Sequence, residues 1–134
     1  MKAGTYYIGD LCYVFNQEDW DEVCALTTKG YKLEEGEFEL SDGRKFAIYN
    51  TAYGDGEYRD QFGNRYSVDS GTIGCVLWKD ISRYEYILPD VGAVVDMKEE
   101  FSTSRHDGLI CISSTTIDTA GEWEEEYAEE CDDE

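Results

Sequence analysis

The sequence predicts an α+β fold that is mostly β: a strongly curved antiparallel sheet or small barrel with one helix packed on it. Aromatic residues make up 14% of the chain and include eleven tyrosines, which suit a pleated sheet. About eight short extended segments are separated by turns rich in Gly and Asp. Only one segment has a convincing helical period, so the sheet should dominate the fold.

The helix is expected over about residues 17–28. Asn16 has a side chain suited to cap its first turn, and Asp19 lies three positions on, where a carboxylate can reach back to the cap. Gly30 provides a natural end. The face that should pack on the sheet is formed by Trp20, Val23, Cys24 and Thr27.

Alternating apolar and polar residues predict a hairpin, with strands at 37–40 and 45–49 joined by a two-residue turn at Asp42-Gly43. Residues 72–78 are apolar without alternation, which indicates a strand buried on both faces. A helical turn is expected at 79–82. Further extended segments are expected at 4–9, 12–15, 31–33, 53–58, 65–69, 91–96, 99–101, 109–112 and 115–119.

At 134 residues the chain can bury a core without a metal or disulfide, and we expect one domain at 1–121 followed by an acidic tail at 122–134. No apolar stretch approaches the roughly 20 residues that cross a bilayer, and the first residues do not form a signal peptide. Five widely spaced cysteines indicate reduced thiols, four of them buried, in a cytoplasmic protein.

Charge is the strongest compositional signal. Thirty-one acids against eleven bases give a net charge of −20, and nine of the thirteen residues at 122–134 are acidic. This charge repels nucleic acid and anionic membranes and favours a basic protein surface as partner. One turn of B-DNA carries roughly 20 phosphates, so the charge is comparable with that of a short DNA duplex.

The stretch at 50–78 holds five of the thirteen glycines and contains a candidate ligand site. Its tyrosines, with Tyr6, are candidates for an aromatic wall around a small molecule, and its carboxylates for ligands of Ca²⁺ or Mg²⁺. The spacing does not match an EF-hand loop, and Asp and Gly are also common turn formers. The candidate ligand-binding residues are Tyr53, Asp55, Glu57, Tyr58, Asp60, Tyr66 and Asp69.

No catalytic residue is predicted. His106 is the only histidine and lies in a predicted turn, beside Asp107-Gly108. The sequence has no nucleophile motif, P-loop or dinucleotide fingerprint, so neither a cofactor nor a dedicated metal site is expected.

The tail is a candidate partner-binding segment. Trp123, Tyr127 and Cys131 recur every four residues, so a helical tail presents an apolar stripe among carboxylates. The alternative is a solvated acidic tail. The candidate partner-binding residues are Trp123, Glu124, Glu125, Glu126, Tyr127, Glu129 and Glu130.

Five short blocks are G-T-Y-Y-I-G-D, C-Y-V, T-A-Y-G-D-G-E-Y, V-D-S-G-T-I-G and I-D-T, at residues 4–10, 12–14, 51–58, 68–74 and 117–119. Together they resemble an uncharacterised family of small bacterial and phage proteins. The resemblance implies no activity and no catalytic residue. In size and charge alone, the chain is also similar to the small acidic proteins that phages and mobile elements use against host defence.

Two main functions follow from these features. The first is a non-enzymatic acidic protein that binds a basic protein partner, as a phage or mobile-element inhibitor of host defence or as a nucleic-acid mimic. The alternative is a β module that binds a small molecule or divalent metal, or an enzyme, using the 53–69 block. An assembly component without a ligand site is a third possibility.

Overall fold

The computed structural model describes residues 1–29, 32–52, 54–83, 91–106 and 108–119, with only the backbone at 29, 32 and 33. Over these ranges the chain is mostly β, with one α-helix and antiparallel sheets, which confirms the predicted fold class. The sheets are curved but do not close, so the curved-sheet architecture is observed rather than the barrel.

Helix α1 spans Gln17–Thr27, and 3-10 turns span Leu11–Tyr13 and Trp78–Asp80. Within the described ranges, no helical segment is both long and apolar enough to span a membrane. The strands are β1 (Gly4–Gly9), β2 (Thr28–Lys29), β3 (Lys32–Leu33), β4 (Gly36–Glu39), β5 (Lys45–Asn50), β6 (Gly56–Arg59), β7 (Arg65–Val68), β8 (Thr72–Leu77), β9 (Gly92–Met97), β10 (Thr103–His106), β11 (Leu109–Ile112) and β12 (Thr115–Asp118).

Strand β8 is the centre of a five-stranded antiparallel sheet with the order β4-β5-β8-β1-β9. The first five of its six residues are buried, as the lack of alternation predicts. Glycine is required at position 74, because a Cβ there would overlap the backbone carbonyl oxygen of Ala47 on β5. The central sheet therefore depends on this close backbone approach.

Each face of the central sheet is covered by its own apolar cluster. On the hairpin face, Tyr6 and Ile8 of β1 pack with residues of the β6–β7 hairpin and of the three-stranded sheet β10-β11-β12. On the helix face, Tyr7 packs with Val23 of α1 and Leu11 of the first 3-10 turn. Alternate residues of β1 thus enter opposite cores.

The cap of α1 is the predicted one, since the Asn16 side chain accepts a hydrogen bond of 2.8 Å from the backbone N–H of Asp19. The expectation that Asp19 reaches back to the cap was wrong. Its carboxylate instead accepts two hydrogen bonds from Arg44, of 3.0 and 2.8 Å. A bidentate guanidinium contact is stronger than a single bond to a backbone N–H, and the fold places Arg44 within reach.

The predicted buried face of α1 is correct at Val23 and Thr27, while Trp20 is half-buried. The prediction of a buried side chain was wrong at Cys24, which is exposed. Leu26 packs against the helix-face cluster instead. The helix is therefore rotated about its axis relative to the predicted apolar stripe.

The β4–β5 hairpin was predicted correctly, but its loop has three residues rather than two. Leu40 N–H donates to the carbonyl of Arg44 at 2.8 Å, and Gly43 N–H donates to the carbonyl of Leu40 at 2.9 Å. Gly43 alone takes the left-handed backbone, with φ of 97°. This is the turn in which a final left-handed residue closes a three-residue loop.

Two other segments differ from the expectation. Residues 12–15 are not extended, because the Asp10 side chain accepts a 3.0 Å bond from Cys12 N–H and starts the first 3-10 turn. The last hairpin begins at Thr103 rather than near 99–101. Phe101 is occupied elsewhere, since its backbone exchanges bonds of 2.8 and 3.0 Å with Met1.

Candidate functional site

The Asp60 carboxylate organises the end of the β6–β7 hairpin. Asp60 is 8% exposed, and Oδ1 accepts hydrogen bonds from the N–H groups of Phe62 at 2.8 Å and Asn64 at 2.9 Å. Oδ2 accepts from Asn64 Nδ2 at 2.9 Å and the Tyr66 hydroxyl at 2.6 Å. Asp60 also pairs through its backbone with Ile117. Its side chain thus holds the turn together rather than pointing toward a ligand.

These contacts determine the protonation states of Asp60 and Tyr66. Burial, the largest single effect, raises the pKa of Asp60, but the hydrogen bonds from Tyr66 and Asn64 together outweigh it and the net pKa is lowered. Burial, and then the Asp60 carboxylate, raise the pKa of Tyr66. At neutral pH Asp60 is therefore ionised and Tyr66 remains a hydrogen-bond donor.

Three of the four tyrosines of the predicted aromatic wall are part of the core. Tyr6, Tyr58 and Tyr66 are all buried in the hairpin-face cluster. The Tyr58 hydroxyl donates to the carbonyl of Gly54 at 2.9 Å, and the Tyr6 hydroxyl donates to the carbonyl of Lys2 at 2.8 Å. Burial raises the pKa of Tyr6 to about 12. The structure brings these residues together as part of the hairpin-face core.

The remaining described residues of the 53–69 site lie on the surface. Asp55, Glu57 and Asp69 are exposed, and the nearest oxygen of Glu57 lies 3.9 Å from Arg65 Nη1. Tyr53 falls outside the described residues. Across the described ranges, no group of three or more His, Cys, Asp or Glu is placed to hold a metal ion. Ligand binding by this block has little geometric support.

Asp10 is an organising residue that the sequence analysis missed. It is fully buried, and Oδ2 accepts from the N–H groups of Asp69 and Ser70, both at 2.7 Å. Oδ1 accepts from Cys12 N–H at 3.0 Å and from the Ser70 hydroxyl at 2.8 Å. Asp10 thus ties the end of β1 to the β7–β8 turn. The signal that the sequence offered for Asp10 was its position directly after Gly9, the glycine at which β1 ends.

The expectation of four buried cysteines was wrong, since Cys75 alone is buried among the four in the described ranges, while Cys24 is exposed. Burial raises the pKa of Cys75 to about 12 and also raises the pKa of Cys12 and Cys24. These three thiols are therefore protonated at neutral pH and weak nucleophiles. His106 is exposed on β10.

The most distinctive polar surface is an acidic ridge, formed by α1 and the β4–β5 turn. Helix α1 carries four acids and no base, and Asp42 adds a fifth carboxylate from the turn. The turn is held against the helix by Arg44 and by a 2.6 Å bond from Ser41 N–H to Glu22. The residues of the acidic ridge are Glu18, Asp19, Asp21, Glu22 and Asp42.

Arg44 contacts two carboxylates of the acidic ridge, those of Asp19 and Asp42. Its hydrogen bonds are the largest influence on both Asp19 and Asp42 and lower the pKa of each. The ridge therefore combines five acidic side chains with the contacts of the Arg44 guanidinium. The described ranges hold nineteen acids and all eleven bases, a net charge of −8, so the other twelve acids lie outside them.

The predicted partner-binding residues at 123–130 lie outside the described residues, as does the proposed boundary at 121, and both stay predictions. The resemblance to small bacterial and phage proteins also stays a prediction. Comparison of the chain with models of known families, with curated proteins and with solved structures found no match.

Proposed function

We propose that this protein is a non-enzymatic acidic binding protein that engages a basic surface on a protein partner. The observation that carries the proposal is the acidic ridge, where α1 and the β4–β5 turn carry five acidic side chains and Arg44 contacts two of them. Glu18 and Asp21 are exposed and form no ion pair with a described residue. They are the carboxylates available to a partner.

The ridge is held in place before any partner arrives. The Asn16 cap fixes the start of α1, and the contacts of Arg44 and Glu22 fix the turn against it. A basic partner therefore meets a helix and a turn whose backbones need little reordering, which lowers the entropic cost of binding. Exposed charges also accelerate association, over a screening length of about 10 Å at 0.1 M salt.

More specifically, we propose that the protein is an inhibitor that competes with nucleic acid for a basic protein. A phage or mobile-element anti-defence protein would act in this way. The net charge of −20 supports it, since roughly 20 phosphates occupy one turn of B-DNA. Nine of the thirteen residues at 122–134 are acidic, so competition with DNA should depend on this segment more than on the acidic ridge.

The test uses a fluorescent lysine- and arginine-rich peptide and measures its binding by anisotropy. The ridge variant is Glu18→Gln with Asp21→Asn, and the control is Asp55→Asn with Glu99→Gln, which removes the same charge from exposed positions elsewhere. Exposed pairs contribute about 0.2–1 kcal/mol each, so the ridge variant should bind roughly 2- to 30-fold more weakly. The control should change less.

Equal weakening in the ridge and control variants would show that the peptide responds to net charge and not to the ridge. Affinity that does not fall as salt rises from about 0.05 to 0.5 M would exclude an electrostatic mechanism altogether. A third variant, Trp123→Ala with Tyr127→Ala, tests the tail stripe while leaving the charge unchanged. If the protein is an inhibitor that competes with nucleic acid, it should release duplex DNA from the same peptide.

A further inference from the structure

Four of the eleven cationic side chains of this acidic chain line a single cleft of about 340 Å³. We call it the cationic cleft. Tyr6 and Leu77 contribute its apolar wall, and Asp42 and Asp80 its carboxylates. The cationic residues are Lys2, Arg44, Lys45 and Lys79. With four cations and two carboxylates, the lining has a net charge of +2, opposite in sign to the whole molecule.

The fold brings these residues together at one end of the central sheet. Strand β1 starts after Lys2, β5 starts at Lys45, and β8 ends at Leu77 just before the 3-10 turn that carries Lys79. Tyr6 is the direct partner of Leu77 across β1 and β8. Because β5, β8 and β1 are neighbours, the three strand ends meet, and the cleft opens between them.

The three lysines of the cleft differ from three of the arginines. Arg44, Arg65 and Arg105 each have a carboxylate within 4 Å. In contrast, the three lysines of the cleft are exposed and form no ion pair with any residue that the structure describes. Asp42 does not neutralise them, because Arg44 binds it at 2.9 Å. Asp80 also lines the cleft and Glu39 lies across from Lys45 on β4, but within the described ranges neither forms an ion pair with the three lysines.

We propose that the cationic cleft binds a small phosphate monoester whose organic part is apolar. Lysine ammonium groups act as point charges for phosphate, and a doubly charged phosphate group matches several of them at once. Leu77, which is half-buried, provides the main apolar contact for the organic part, with the largely buried Tyr6 behind it. A volume of about 340 Å³ lies at the small end of ligand sites, which span about 300–1,000 Å³.

The experiment titrates the full chain with phenyl phosphate and follows backbone amide shifts by ¹⁵N NMR. Shifts should concentrate at residues 2–6, 42–45 and 77–80. Lys45→Gln and Lys79→Gln are the test variants, and Lys98→Gln is the control, since Lys98 is exposed and lies outside the cleft. Each test variant should weaken binding about three- to tenfold, whereas the control should stay within about twofold.

Two further ligands test the chemical class. Benzoate should bind more weakly than phenyl phosphate, and so should inorganic phosphate, which lacks the apolar part. If benzoate bound as tightly as phenyl phosphate, the assignment of a phosphate ligand would be overturned. If inorganic phosphate bound as tightly as phenyl phosphate, the role of the apolar wall would be overturned. Absence of shifts up to about 10 mM phenyl phosphate, or equal affinity in all three lysine variants, would overturn the site itself.

Discussion

Substitution of Asp10 should reveal how much of the fold depends on one buried carboxylate. In Asp10→Ala, the N–H groups of Cys12, Asp69 and Ser70 lose their acceptor together. An unsatisfied buried donor costs about 1–3 kcal/mol, although water can reach the end of the turn near exposed Asp69. We expect the free energy of unfolding to fall by about 3–5 kcal/mol, because three backbone donors lose their acceptor and water replaces it only in part.

The Asp10→Asn variant separates the hydrogen bonds from the volume of the side chain. Its amide oxygen can still accept from Asp69 and Ser70, while its NH₂ group faces the N–H of Cys12, a donor against a donor. The Ser70 hydroxyl can rotate and accept from the new NH₂ group. One bond is therefore lost rather than four, and the expected cost is about 1–3 kcal/mol.

Urea denaturation followed by circular dichroism measures both variants, with Asp69→Asn as the control. Asp69 is exposed and contributes only its backbone to the Asp10 contacts, so its variant should lie within about 0.5 kcal/mol of the parent. The expected order of stability is parent, Asp10→Asn, Asp10→Ala. If both Asp10 variants matched the control, the buried carboxylate would not be holding the β7–β8 turn.

Three other predictions concern single side chains. Tyr66→Phe should cost about 1.5–3 kcal/mol at neutral pH, measured by urea denaturation, because it removes the 2.6 Å bond to ionised Asp60. The lowered pKa of Asp60 stabilises the fold above its unfolded value of about 3.9, and this contribution is lost as pH falls through the folded value. The Tyr66→Phe cost should therefore shrink in acid, and a constant cost would contradict the charged bond. Gly74→Ala should abolish cooperative thermal unfolding, since its Cβ overlaps the Ala47 carbonyl; a native-like melting curve would contradict the close approach. A thiol reagent should label Cys24 before Cys75 in peptide mapping, and equal labelling would contradict the burial of Cys75.

The sequence predicted the elements whose signals are local. The hairpin around Gly43, the Asn16 cap and the buried strand β8 each depend on neighbouring residues or on a short periodic pattern. The first strand of the last hairpin was misplaced because Phe101 pairs with Met1, a hundred residues away. No local pattern contains that contact.

The burial and hydrogen-bond partners of the candidate ligand residues were not predicted, for the same physical reason. Asp60 and Tyr66 have the composition of a binding site, but burial and partners decide whether a carboxylate holds a ligand or a turn. Neither property is visible in the sequence. Asp10 was missed, and the cationic cleft was not foreseen, because Lys2, Lys45 and Lys79 meet only when three strand ends align.

The acidic ridge and the cationic cleft meet at the β4–β5 turn. Arg44 and Asp42 both line the cleft, Asp42 is also a ridge residue, and Arg44 forms ion pairs with the ridge residues Asp19 and Asp42. A substitution of either residue would disturb both surfaces, so it could not separate the role of the ridge from the role of the cleft. Glu18 and Asp21 lie on α1, whereas Lys45 and Lys79 lie on the other side of Arg44, so the two pairs can be changed separately. If the surfaces act independently, phenyl phosphate at constant ionic strength should leave the affinity for the basic peptide unchanged. If phosphate draws Arg44 away from Asp19, linkage requires that each ligand strengthen binding of the other, because the ridge then loses the guanidinium that contacts it.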